Sequence, residues 1–147
     1  MTTMCVADTK RLTLAGAKKI MATATALAEQ AGVALTVVIV DAGGHVILVE
    51  RMDGGRFHTV HSAMTKAVCA ASSRRPTAPT GAQGQSLDTV HALGLPLAAG
   101  ADRWTAMEGG SPILVGGECI GAVGVSGGSF EFDERVAHEA AVSIGAK

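Results

Sequence analysis

His58-Thr59-Val60-His61 places two imidazoles three residues apart, and on a helix that spacing turns both to one face. Such a pair chelates a metal or exchanges protons with a substrate. Two ligands do not close a metal site. Further ones would have to come from His45, His91, His138 or Glu108 through folding, so no metal site is assigned and hydrogen-bonded or solvated histidines are the plainer reading. Arg51 and Asp53 in RMDGG, and Lys66 in an otherwise small and apolar stretch, are the charged groups next in interest. They either form a structural salt bridge or orient a ligand carboxylate and steady an enolate.

The segment Gly124-Val125-Ser126-Gly127-Gly128 matches the G-x-S-x-G pattern of a hydrolase nucleophile. The partners such a serine needs do not follow. Asp133 and His138 fall on one short helix directly after it, which leaves no triad geometry. A second reading treats Ser126, Gly127 and Gly128 as a corner with unhindered backbone N–H groups that receives a ligand carboxylate; a plain strand-to-helix turn is the alternative. Ser129 is placed to cap the helix that follows, and Glu131, Asp133 and Glu134 suit its positive end. Phe57, Phe130, Phe132 and Trp104 are the only aromatics. Phe130 and Phe132 stand two apart at a helix start and cannot share its buried face, so one of them is a candidate pocket wall or subunit contact. No nucleotide-binding glycine fingerprint and no H-E-x-x-H occurs.

These residues need elements to position them. Apolar positions from Leu12 to Ala31 recur at three- and four-residue spacing and end at Gly32, which predicts an amphipathic helix. Two β-branched runs, 34 to 41 and 45 to 52, flank Asp41-Ala42-Gly43-Gly44 and predict an antiparallel hairpin. Helical spacing returns from His58 to Ser73, and Arg74 to Gln85 reads as a loop. A short helix is expected from Leu87 to Leu93, stopping near Gly94 and Pro96. Then come a short strand from Trp104 to Met107, a Gly109-Gly110 turn, a strand from Ile113 to Val115, a Gly116-Gly117 turn, a strand from Ile120 to Val125 and a helix from Phe130 to Ile144. Strands arriving in tight hairpins predict an α+β fold with a central antiparallel sheet.

The 147 residues suit one domain spanning 1–147, and nearly half are apolar. Twelve Lys and Arg against 13 Asp and Glu leave no basic field for nucleic acid or anionic lipid. The opening MTTMCVADTKRL lacks the apolar stretch of a secretory signal, and no later run is long enough to cross a bilayer; a cytoplasmic protein is expected. Cys5, Cys69 and Cys119 have no C-x-x-C spacing and read as reduced thiols. Only 17% of residues are charged, which is little polar surface for a monomer, so a homo-oligomer is expected.

Taken in order, VVIVDAGGHVILVERMDGG, Lys66-Ala67, the RRPT loop, GGSPILVGGECIGAVGVSGG and the acid-led terminal helix resemble the GlcG/HbpS family of haem-binding-like proteins, which also supplies the C-terminal domain of PduO-type corrinoid adenosyltransferases. The resemblance covers nearly the whole chain. It implies an α/β/α layered single domain, profilin-like or PAS-like in outline, that assembles into dimers or larger rings and binds haem or a corrinoid. The matching positions are Asp41, Gly43, Gly44, Arg51, Met52, Asp53, Lys66, Pro76, Thr77, Gly109, Gly110, Pro112, Gly121, Gly124, Ser126, Gly127, Gly128 and Asp133. Many members read Thr-Pro-Glu-Gln-Asp where this chain has Ser129-Phe130-Glu131-Phe132-Asp133. His58 and His61 likewise fall where members have a small residue and an acid. These departures imply a narrower ligand or an acquired reaction.

Two functions are therefore expected. The first is an oligomeric binding protein for a small carboxylated or tetrapyrrole-like ligand, haem included, held by Ser126, Gly127, Gly128, Phe130, Phe132, Glu131 and Asp53. The second is an isomerase, lyase or hydratase of a small catabolic intermediate, with His58 or His61 as general base and Arg51 or Lys66 stabilising negative charge.

Overall fold

The computed structural model describes residues 4–145. Four helices and four strands follow in the order α1 (Leu14–Ala31), β1 (Thr36–Asp41), β2 (Val46–Arg51), α2 (His58–Ser73), α3 (Thr89–Ala99), β3 (Gly110–Val115), β4 (Glu118–Ser126) and α4 (Phe130–Val142). The strands form one antiparallel sheet in the order β2-β1-β4-β3. Thr13 caps α1 by accepting a hydrogen bond from the Gly16 amide, and Gly32 closes it in the left-handed region at φ 68°.

Helices cover both faces of the sheet. On one, α1 and α4 pack Ile20, Met21, Val136 and Ala140 against Val37, Ile39, Val123 and Val125. On the other, α2 lays Ala63, Ala67 and Ala70 over Val38, Val40 and Ala122. Thus β1 is buried on both faces and reads as a continuous β-branched run. The α2 face is shallow because β4 offers it Gly124: a side-chain carbon there would strike the Ala63 carbonyl oxygen and the Ala67 amide. Glycine therefore lets the alanine stripe of α2 settle directly on the sheet. This α/β/α layering is the architecture expected.

Three local expectations are corrected. Helix α3 runs through Gly94 and Pro96 to Ala99; it buries none of its residues, and the one hydrogen bond that proline removes is tolerated where water reaches the backbone. No strand forms from Trp104 to Met107. That stretch crosses the outside of α2, where the Thr105 carbonyl accepts from the Cys69 thiol at 3.6 Å, and the sheet begins only at Gly110. Gly109 and Gly110 likewise make no turn between strands. Gly110 pairs with Gly124, and a side-chain carbon on it would meet the Lys66 carbonyl oxygen. Its role is close approach of α2.

Candidate functional site

While its alanine stripe faces the sheet, α2 turns a different flank outward. His61, Ser62, Thr65 and Lys66 border a recess of about 500 Å³. Across it lie Thr89, Ala92, Leu93 and Pro96 of α3, joined by Leu87, Trp104 and Met107. The α3 residues fall at i, i+3, i+4 and i+7, one helical face. Polar side chains thus form the floor and apolar ones the roof. This is the division a small-molecule site uses to bury a ligand body and fix its orientation.

Lys66 is fastened from behind. Its ammonium donates to the Val125 carbonyl at 2.9 Å and to Asp133 Oδ2 at 3.3 Å, and the other carboxylate oxygen of Asp133 accepts from the Gly128 amide at 2.9 Å. The pair is buried, with side chains 5% and 2% exposed. Burial pushes the Lys66 ammonium below its ordinary value against the pull of Asp133, and burial pushes the Asp133 carboxyl up against the pull of Lys66. Lys66 belongs to α2 and Asp133 to α4, so the pair ties together helices on opposite faces of the sheet.

That geometry revises the glycine corner. The Gly128 amide is taken by the protein's own Asp133, and Gly127 lies against the Ala34 carbonyl and Leu35. Ser126 is buried, its hydroxyl 2.7 Å from that of Ser62. The corner seats Asp133, whose carboxylate occupies the Gly128 amide. Ser129 caps α4 as expected, accepting from the Phe132 amide at 3.1 Å.

The remaining expected residues are dispersed. His58 is exposed at the first turn of α2 and does not border the recess that His61 borders. Arg51 and Asp53 border a separate depression with Glu29 and Gly32 at the end of α1. Glu131 and Phe130 are exposed on α4, whereas Phe132 packs on the core with the Arg135 guanidinium 5.3 Å from its ring centre. One phenylalanine therefore follows the core and the other does not, but neither lines the recess. Of the acid–base set His58, His61, Arg51 and Lys66, only His61 and Lys66 share a wall. Among the described residues, no group of three or more His, Cys, Asp and Glu gathers to hold a metal ion.

Sequence reasoning missed the roof. Leu87, Leu93 and Trp104 carry it, and the available signals were the lone tryptophan and an uncharged helix, TVHALGLPLAA. No helix among the described residues is long and apolar enough to cross a membrane.

Comparison with known proteins agrees with this architecture. Residues 12–142 match a family described as "Haem degrading protein HbpS-like". The chain is 33% identical over 129 residues to an uncharacterized 15.0 kDa protein of Citrobacter freundii from the dhaT-dhaS intergenic region, covering 88% of this chain and 89% of that one. The solved structure of Klebsiella pneumoniae protein ORFY is similar at 31% identity and a TM-score of 0.84, covering 99% of both chains. A structure described as a PduOC:Heme complex is similar at 26% identity and a TM-score of 0.80, covering 94% of this chain and 98% of that one.

Proposed function

The chain belongs to the HbpS-like family, and on that premise we propose that it is a single-domain, cytoplasmic, homo-oligomeric binding protein that holds a small, largely apolar ligand in the recess between α2 and α3. The observation carrying this reading is the recess itself: about 500 Å³, with His61, Ser62 and Thr65 on its floor and Leu87, Leu93 and Trp104 over it. That volume falls within the range of ordinary ligand sites.

Haem is the first ligand to try, because a similar solved structure is described as a haem complex. The residues fit it: His61 would supply one imidazole for iron, and the apolar side chains of α3 and Trp104 would flank the macrocycle. When bound, haem would bring a redox-active, gas-binding iron; the protein's part is to exclude water with Leu93 and Trp104 and to fix the ring through His61. The acid–base alternative has no comparable support, since His58 and Arg51 lie away from that wall.

Titration with haemin tests the proposal. The expected result is a shifted Soret band with saturable stoichiometry, a rise in Tm, and weaker binding by Ala92→Trp, which fills the recess from a half-buried α3 position on its border. No spectral shift and no thermal stabilisation would remove haem as the ligand. Saturable binding indifferent to Ala92→Trp would move the site elsewhere.

A further inference from the structure

The recess beneath α3 does not end at its apolar roof. His61 and Thr65 also border a second space of about 560 Å³, which takes in the Gly43-Gly44 turn, His45, Met64, Asp102 and Arg103. Trp104, in the roof of the first, borders a third with Arg103. The floor residues of one compartment are thus the side wall of the next. The chambers differ in chemistry: the first is roofed by leucine, proline and tryptophan, and the second is lined by two imidazoles, the Arg103 guanidinium and the Asp102 carboxylate.

We propose that this annex is the specificity pocket for an oxyanion on the ligand, with Arg103 as its principal partner, so that the protein selects amphipathic acids: an apolar ring body under α3 and a carboxylate, phosphate or sulfonate reaching past His61 to Arg103. The inference rests on the reading of the α2–α3 recess as the ligand site. Arg103 is exposed, and among the described residues its guanidinium has neither a salt bridge nor a side-chain hydrogen bond. It therefore has donors to give, and a guanidinium is suited to a two-oxygen anion. Neither acid nearby pairs with it. Asp41 is engaged with the Gly43 and His45 amides and with the His45 ring at 3.3 Å, and Asp102, which also lines the annex, makes no salt bridge to Arg103. Gly44, at φ 83°, has only Val68 near the place of a side-chain carbon, which keeps that side of the annex low.

Two dyes with the same ring system separate the compartments: 8-anilinonaphthalene-1-sulfonate carries an anion, and N-phenyl-1-naphthylamine does not. Fluorescence titration of the intact protein should show both dyes weakened by Ala92→Trp. Arg103→Gln should weaken the sulfonate dye about tenfold and leave the neutral dye unchanged, while Arg103→Lys, which keeps the charge but not the fork, should weaken it less. If Ala92→Trp weakens both dyes but Arg103→Gln affects neither, or both equally, the annex inference is overturned while the recess stands. If Ala92→Trp affects neither dye, the recess reading fails and takes the inference with it.

Discussion

Lys66 and Asp133 are 4% and 2% exposed, an arrangement that costs desolvation of two charges and is tolerated because every neighbouring group answers them. Removing one partner strands the other. Lys66→Met or Asp133→Asn alone should each destabilise by about 3–5 kcal/mol, and the double variant by less than the sum, by at least about 1 kcal/mol. Urea denaturation of the three variants checks this. Additive losses would mean that the two charges do not depend on one another. The same pair shows what the local pattern at the glycine corner leaves out. Ser-Gly-Gly before an acid-led helix advertises free amides, and nothing in the local pattern reveals that the carboxylate filling them sits five residues downstream and is itself oriented by a lysine from another layer.

At the scale of elements, helices with a repeating apolar stripe were legible: α2 runs from His58 to Ser73 as its spacing predicts, and the hairpins follow their glycines. What escaped was the second half of α3, from Gly94 to Ala99, because Gly94 and Pro96 signal a stop and the helix has no buried stripe to outvote them. The cavity escaped with it, since its walls come from four separate segments that share no motif. A different element effect concerns the chain before α1. The Glu118 carboxylate, in β4, accepts from the Thr9 hydroxyl at 2.5 Å and the Lys10 amide at 2.7 Å, and these bonds hold its carboxyl below the ordinary value. A carboxyl lowered on folding contributes fully above the ordinary carboxylate range and loses that contribution as pH falls through its lowered value. Hydrogen exchange should therefore show the Lys10 amide protected at neutral pH and released in acid, and Glu118→Gln should remove both the protection and its pH dependence. Equal protection of the variant at pH 7 would contradict this anchoring.

Across the whole molecule, α3 has a flank with no counterpart among the described residues. Val90 and Leu97 stand 77% and 84% exposed, seven residues apart on the same side of an uncharged helix, beside the face turned to the recess. A second copy of the chain would cover them, consistent with the low charge content of the sequence. Leu97→Glu is expected to lower the assembly state seen by native mass spectrometry or light scattering; an unchanged mass would exclude α3 from the interface. The central claim is that the ligand lies between α2 and α3, and hydrogen exchange with and without saturating haemin tests it most directly. The account predicts slowed exchange across 87–107, where α3 and the Trp104 stretch close over the recess. Protection confined to 126–131 or to 50–53, with 87–107 unchanged, would contradict it.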